Sequence, residues 1–258
     1  MTSLTTPHFA ALDALPGIDL AELVSRASLM ARVDRKYVLD RADLDAFGAE
    51  LPVGTRVLDI EGRRRFGYSS TYLDTPDLTS YRQAAWGRDR RYKVRSRDYL
   101  DSGGRFIEVK TKVGAASHKL RRPLTGEADQ ALDFVSEVLD EAHLAADRVE
   151  ELEPVLQTHY TRSTLLDPSG TGRVTIDTDL RWRGIDGGEL DLPDLAIVET
   201  KSAGARTDLD LVLWRLGHRP QRISKYATGL AALRPDLPHN RWHRLLITHF
   251  TPLRKAHR

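Results

Sequence analysis

The stretch RRYKVRSRDYLDSGGRFIEVKTK, residues 90–112, determines the fold expected for this chain. Its two arms alternate in the manner of β-strands around DSGG, which is typical of a hairpin turn. Side chains two residues apart share one face of a strand. In the first arm one face therefore holds Arg91, Lys93, Arg95 and Arg97, whereas Tyr92 and Val94 lie on the other. The hairpin is predicted to have one apolar face and one strongly basic face.

The same alternation recurs in other stretches with charged or polar residues at every second position. These sets are Glu108, Lys110 and Lys112; Tyr160 and Arg162; Asp177, Asp179 and Arg181; and Glu199 and Lys201. A half-exposed antiparallel sheet with its charged face in water is one interpretation. The signs are unevenly distributed, however, and a closed barrel would turn the charged faces into its lining. Such a lining suits a bound polyanion together with a divalent cation.

Helical and strand-like segments are interspersed along the rest of the chain. The clearest amphipathic helix is EADQALDFVSEVLDEAHLA, residues 127–145. The fold class predicted is α+β. We expect residues 1–18 to be a flexible leader, residues 19–235 to form one domain and residues 236–258 to be a basic tail.

Composition narrows the class of protein. The 258 residues include 39 basic and 37 acidic side chains, so attraction for anions must come from local clustering rather than from net charge. There are no cysteines, which excludes disulfides and thiolate metal sites. We find neither a transmembrane run nor a signal-peptide pattern and expect a cytoplasmic protein without a nucleic-acid partner.

Eight motifs in order resemble the VTC domains, the catalytic domains of polyphosphate polymerases in the triphosphate tunnel metalloenzyme superfamily. The motifs are TYLDTPDLTSY (71–81), RYKVRSRDY (91–99), FIEVKTK (106–112), KLRRPL (119–124), THYTRST (158–164), VTIDTDLRW (174–182), IVETKS (197–202) and ISKYATGL (223–230). The resemblance implies that residues 19–235 form a closed antiparallel β-barrel tunnel with helices packed outside. It also implies an enzyme that uses Mn²⁺ or Mg²⁺. Such an enzyme moves the γ-phosphate of ATP onto a polyphosphate chain.

The resemblance also assigns roles to individual positions. It implies catalytic roles for Lys36, Lys93, Arg95, Lys110 and Arg162. Phosphate-binding roles are expected for Arg91, Lys119, Tyr160, Arg222, Ser224 and Lys225. Glu199 is the expected metal ligand, with Glu108, Asp177 and Asp179 as weaker candidates.

Simpler interpretations stand beside these roles. Lys36 could be an ordinary strand-edge lysine, and Tyr160 an ordinary core aromatic residue. Asp177 and Asp179 could form salt bridges with the basic residues instead of binding metal.

Two other functions use the same residues. A tunnel triphosphatase would hydrolyse triphosphate or nucleotides, and a non-catalytic module would only bind polyphosphate or nucleotide. Hydrolytic relatives tend to begin with Glu-x-Glu-x-Lys, whereas ARVDRKYVL at 31–39 has only Asp34 near Lys36. The basic tail leaves open a peripheral membrane or membrane-protein partner.

Overall fold

The computed structural model describes residues 9–27, 33–125, 128–170, 172–204 and 206–250. The chain divides into two compact units, each assembled from three separate segments. Unit 1 consists of the described residues of Met1–Phe66, Tyr160–Leu180 and Leu192–Arg222. Unit 2 consists of the described residues of Gly67–His159, Arg181–Asp191 and Ile223–Arg258.

Strands provide the framework of both units. They are β1 Gly17–Ile18, β2 Val33–Asp40, β3 Arg56–Leu58, β4 Phe66–Asp74, β5 Arg90–Tyr99, β6 Arg105–Val113, β7 Ala116–Pro123, β8 Glu153–Leu166, β9 Arg173–Gly184, β10 Glu189–Leu192 and β11 Leu195–Ser202. Strands β8 and β9 contribute residues to both units.

The helices are short. They are α1 Ala11–Ala14, α2 Leu20–Ala27, α3 Arg41–Ala49, α4 Thr79–Ala85, α5 Ala128–Glu141, α6 Asp208–Arg215 and α7 Lys225–Leu233, with further helical turns at Ala146–Glu151 and Asn240–Phe250. Side chains that accept hydrogen bonds from the first turn fix the start of several helices. Asp40 caps α3 in this way, and Thr207 forms a capping box with Asp210 at the start of α6.

In unit 1, antiparallel β2, β11 and β9 form a sheet in that order, and β3 pairs with β8. The apolar face of this sheet includes Tyr37, Ile176 and Val198, which are buried in one cluster with Phe47 of α3 and Leu213 of α6. The two helices therefore cover one face, and the alternate residues of the same strands point the other way.

In unit 2, antiparallel β4, β5, β6 and β7 follow one another in the sheet. Tyr92, Val94 and Val109 pack against Val135 and Leu139 of α5. The β5–β6 connection is the predicted hairpin, and Gly103 has the positive φ of 71° that glycine adopts without strain. The basic residues of β5 again alternate with the buried ones.

The predicted α+β class is confirmed, as are the antiparallel pairing and the helices on the apolar faces. The ladder within each unit does not close on itself in the part of the chain that the structure describes. The closed barrel predicted from the sequence is therefore not found among the described strands. They form antiparallel sheet that stays open, because no pairing joins the outermost strands.

Three segments differ from the sequence-based expectations. Within the predicted leader, Phe9 and Leu12 are buried in the core of unit 1 because their apolar side chains pack against α3. Residues 116–123 form strand β7, which was not predicted because its exposed and mostly polar residues show no apolar alternation. Of the predicted basic tail, the structure describes helical turns up to Phe250, and residues 251–258 lie outside the described residues. No described helix combines the length and apolarity needed to cross a membrane.

Candidate functional site

The first group of charged residues lies on the strand face of unit 1 opposite its core, and we call it the Glu199 cluster. It comprises Lys36, Tyr160, Arg162, Thr175, Asp177, Glu199 and Lys201. Strand register places Lys36 of β2 directly opposite Glu199 of β11, and Thr175 of β9 opposite Glu199 on its other side. Directly opposed residues of antiparallel strands have neighbouring side chains on one face. Pairing of three strands therefore assembles the centre of the cluster.

Glu199 is an ionised carboxylate among basic groups. Its side chain is 16% exposed, and its Oε2 lies 3.0 Å from the Lys201 Nζ. Burial alone would raise the pKa of Glu199, but the charges of Lys201, Lys36 and Arg162 outweigh it and hold that pKa well below its usual range. Burial lowers the pKa of Lys201 to about 8, against the attraction of Glu199. Three bases thus act on Glu199, and one of them, Arg162, is also paired with Asp177.

Arg162 connects Tyr160 with Asp177. Its Nε and Nη2 donate to the two carboxylate oxygens of Asp177 at 2.6 and 2.8 Å. The guanidinium also lies over the ring of Tyr160, 5.3 Å from the ring centroid. Both oxygens of Asp177 are therefore engaged by a base, which is the salt-bridged arrangement that the sequence left open.

The remaining two candidates of unit 1 lie apart from these contacts. Asp179 has φ 52°, outside extended backbone, so the strict alternation that placed it beside Asp177 does not hold at this residue. Arg222 is exposed, and the neighbouring Gln221 N–H donates to the Lys36 carbonyl at 2.7 Å. That bond attaches the segment carrying Arg222 to β2.

The second group lies on the basic face of unit 2, and we call it the Glu108 cluster. It comprises Tyr72, Arg95, Arg97, Glu108 and Lys119. The Glu108 side chain is only 2% exposed. One of its carboxylate oxygens accepts a hydrogen bond from Arg95 Nε and the other accepts one from Lys119 Nζ, each at 2.7 Å. Arg97 Nε approaches to 3.9 Å, and Arg95 Nη1 also donates to the Tyr72 hydroxyl at 3.1 Å. Glu108 is thus the shared counter-ion of three bases.

The charges in this cluster shift one another's protonation. Burial by itself would raise the pKa of Glu108, but Arg95, Arg97 and Lys119 lower it to about 2. Burial, followed by repulsion from Arg95, lowers the pKa of Lys119 to about 7 although 35% of its side chain is exposed. Because Glu108 already has bases on both oxygens, the cluster fits an incoming anion better than a metal ion.

Lys93 lies next to the start of helix α7. Its Nζ donates to the Ser224 hydroxyl at 2.8 Å, and that hydroxyl also accepts from the Ala227 N–H at 3.2 Å as the helix cap. Lys225 is partly buried, and its carbonyl accepts from Trp182 Nε1 at 2.8 Å. Lys93 and Ser224, which the sequence analysis listed separately as site residues, are therefore in direct contact.

Several basic residues on one face of the unit 2 sheet form a row across three strands. Lys93 of β5 stands opposite Lys110 of β6, which stands opposite Lys119 of β7. Arg91 is one position further along the same face of β5 and opposes Lys112. Lys110 and Lys119 are the exposed lysines of this row. Like charges brought together in this way favour a bound anion.

Lys119 gives the basic row a dependence on pH. Because the pKa of Lys119 is about 7, raising the pH from 6 to 8 removes most of its positive charge. We expect calorimetry to show that the affinity of the wild type for tripolyphosphate falls as the pH rises from 6 to 8. The fall should be up to about tenfold larger than in Lys119→Arg, which keeps its charge. Equal pH profiles for the two proteins would contradict this.

Ser224 offers a second test. Ser224→Ala removes the α7 cap and the hydroxyl that holds Lys93, so we expect the free energy of unfolding to fall by about 1 kcal/mol and tripolyphosphate affinity to fall about threefold. Asp40→Ala is the matched control, since Asp40 caps α3 by accepting from Asp43. It should lose similar stability in denaturant titrations and keep its affinity. An equal loss of affinity in both variants would argue against a binding role for Ser224.

The Glu199 cluster has donors that suit a divalent cation. The Thr175 hydroxyl is buried, directly opposes Glu199, and has no hydrogen-bond partner among the residues described. Carboxylate and neutral oxygens are the ligands of Mg²⁺ and Mn²⁺. In the described part of the chain no three His, Cys, Asp or Glu side chains gather around one point. A cation would therefore bind Glu199 and Thr175 together with phosphate oxygens, which also offset the nearby bases.

Several residues of these clusters escaped the sequence-based list of site residues. Lys201 was grouped with Glu199 by alternation, and Arg97 with Arg95, but neither was assigned a role. Alternation alone could have singled out both, because each shares a strand face with a predicted site residue. Thr175 also shares a face with Asp177 by alternation, but its position opposite Glu199 depends on the register between distant strands. The position of Tyr72 opposite Arg95 likewise depends on strand register.

The profile of the VTC domain matches residues 31–234. The chain belongs to the VTC domain family, which confirms the resemblance seen in its motifs. No curated protein matches the chain in sequence.

Solved structures with the same fold are distant in sequence. A candidate adenylate cyclase from Bacillus halodurans is 15% identical, with a TM-score of 0.51 over 75% of this chain and 94% of that one. A protein from Pyrococcus horikoshii is 15% identical with a TM-score of 0.46, covering 77% of this chain and 98% of its own. A candidate adenylyl cyclase from Hippeastrum, described as having a dominant triphosphatase activity, is 14% identical with a TM-score of 0.46, covering 76% and 94%. At 15% identity the likeness to the Bacillus halodurans protein concerns the fold alone.

Proposed function

We propose that this chain is a polyphosphate polymerase-like phosphotransferase that moves the γ-phosphate of ATP onto a polyphosphate chain in a basic tunnel. Membership of the VTC domain family supports the substrate class. The observation that carries the proposal is the Glu199 cluster, where one ionised carboxylate faces Lys36, Arg162 and Lys201. A triphosphate would offset the positive charge that Glu199 and Asp177 leave uncompensated, and the Glu199 carboxylate would bind a cation.

The reaction requires positioning and charge neutralisation more than a covalent nucleophile. Lys36, Arg162 and Lys201 would bind the phosphate oxygens and hold the γ-phosphorus in place. An oxygen of the acceptor's terminal phosphate forms a bond to the γ-phosphorus, the bond from that phosphorus to the bridging oxygen breaks, and ADP leaves with the electron pair. The attacking oxygen is already anionic, so no proton has to be removed from it.

A divalent cation, Mn²⁺ or Mg²⁺, would be held by Glu199 and Thr175 and would offset charge that develops on the transferred phosphoryl group. Glu199 must stay ionised for this, and its depressed pKa keeps it so at neutral pH. We expect a cytoplasmic location, with ATP and polyphosphate as the partners.

The test is to incubate the purified protein with ATP and Mn²⁺ and to measure long-chain polymer on a gel and free phosphate in solution. Polymer that disappears in Glu199→Gln and Lys110→Ala supports the proposal. Free phosphate without polymer indicates a triphosphatase. Nucleotide binding without turnover under Mn²⁺ or Mg²⁺ indicates a binding module, and either result overturns the polymerase assignment.

A further inference from the structure

The basic face of unit 2 extends beyond the residues assigned to the reaction. At the end of β5 away from Glu108, four bases and an aromatic ring lie together, and we call them the Arg241 patch. It consists of Trp86, Arg88, Arg91, Lys112 and Arg241. Trp86 follows helix α4, Arg88 precedes β5, and Arg241 comes from the helical turns near the end of the described chain.

Short-range contacts bring these residues together. The Arg91 Nη1 donates to the carbonyl of Arg88. The Arg241 guanidinium lies against Gly87, where an added Cβ would collide with it. The Arg88 guanidinium lies over the Trp86 ring, 5.9 Å from the centroid, and Trp86 itself is 57% exposed. Three guanidinium groups thus surround the Gly87–Arg88 segment.

The patch differs from the Glu108 cluster in its counter-ions. Arg88, Arg91, Lys112 and Arg241 take part in no salt bridge within the described ranges of the chain, and the Lys112 Nζ donates to a carbonyl, that of Gly114, at 2.5 Å. The exposed carboxylate of Asp89 is the nearby acid that acts on Arg91. Burial and the charge of Arg241 both lower the pKa of Arg91. The cost of gathering like charges here is left for a bound anion to offset.

The position of the patch indicates what kind of anion it binds. Arg91 is two residues before Lys93 on the same face of β5, and Lys112 is two residues after Lys110 on the same face of β6. The bases therefore continue in a line at the spacing of alternate strand residues, about 6–7 Å. A line of bases matches a ligand that carries negative charge along its whole length and continues beyond the three phosphates of a triphosphate.

We infer that the Arg241 patch binds linear polyphosphate beyond the phosphates held by Lys93 and Lys110, and so guides the acceptor or product chain. This role rests on the proposed function, since it supplies that reaction with a place for the polymer. Trp86 would orient the Arg88 guanidinium through a cation–π contact.

The experiment compares Arg88→Gln/Arg241→Gln with Arg105→Gln/Arg122→Gln. The control pair removes the same charge from exposed arginines of the same unit, which are paired with Asp98 and Glu137. Binding of fluorescently labelled long-chain polyphosphate and of ATP is measured by fluorescence anisotropy and calorimetry at several salt concentrations. We expect the first variant to lose about tenfold or more in affinity for the long chain, with a reduced salt dependence and unchanged ATP affinity. The control variant should change less than about twofold.

Other outcomes identify which idea fails. Equal losses in the two double variants, or an equal loss of ATP affinity in the first, would overturn the patch as a polyphosphate site. Tighter binding of single-stranded DNA or of phosphatidylserine vesicles than of polyphosphate, sensitive to Arg88 and Arg241, would assign the patch to that partner and overturn the inference. Long-chain binding that depends on the patch in a protein without polymerase activity would count against the proposed function alone. A polymerase whose wild type does not bind the long chain would count against the patch alone.

Discussion

Replacing Glu199 by glutamine should lower ATP turnover by about 100-fold or more, because glutamine cannot carry the negative charge that the cluster uses. The carboxylate faces Lys36, Arg162 and Lys201, and its pKa is held well below its usual range by them. Glutamine keeps the size of the side chain and one oxygen. The change therefore removes the anionic ligand for the cation while leaving the three bases in place.

Binding separates this effect from damage to the fold. Without metal, tripolyphosphate should bind Glu199→Gln at least as tightly as it binds the wild type, because the cluster gains one net positive charge. Glu50→Gln is the matched control. Glu50 lies in the same unit, its side chain is about half exposed, and its surface pair with Arg215 is long, at 3.7 Å. Turnover of Glu199→Gln near the wild-type rate, measured on protein with a native circular dichroism spectrum, would rule out the assigned role.

The largest effect on stability is expected at Glu108. Glu108→Gln leaves Arg95, Arg97 and Lys119 crowded around a neutral amide, and breaking a buried ion pair from one side costs about 3–5 kcal/mol of the free energy of unfolding. Urea titration at pH 7 measures the loss. In the folded protein the pKa of Glu108 is lowered to about 2. Glu108 therefore contributes its full stabilisation at pH values above its pKa in the unfolded chain, and that stabilisation is lost as the pH falls through about 2.

An anion should restore part of that loss. Tripolyphosphate can supply the negative charge that Glu108→Gln removes, so we expect it to raise the melting temperature of the variant more than that of the wild type. Glu137→Gln serves as the control, because Glu137 pairs with Arg122 at 2.9 Å on the surface and should contribute less than about 1 kcal/mol. A Glu108→Gln variant as stable as the wild type would show that the three bases do not need Glu108 as their counter-ion.

Alternation within single strands predicted much of this molecule. It separated the apolar faces from the charged ones in β5, β6, β9 and β11, and helices cover the apolar faces as expected. The roles of the site residues stay predictions. Their partners are a different matter, because Lys36 and Glu199 meet only through pairing of strands about 160 residues apart in sequence. Local patterns contain no information about that register.

Ionisation and counter-ions were also out of reach of the sequence. Glu108 was a weaker candidate for metal binding, and its place among three bases follows from the pairing of β5, β6 and β7. Strand β7 itself went unrecognised since its exposed and mostly polar residues show no apolar alternation. The packing of Phe9 and Leu12 likewise depends on an apolar surface formed by later parts of the chain.

The pairing of β2 with β11 also constrains the order of events during synthesis. Lys36 leaves the ribosome long before Glu199, and β2 cannot complete its ladder until residue 202 has been made. Closing a loop of this length costs entropy that only the finished sheet repays, so the first unit should mature late and slowly. A nascent chain stalled before β11 would carry the bases of β2 without the carboxylate that neutralises them. Such a chain should be open to proteases until its last strand is in place.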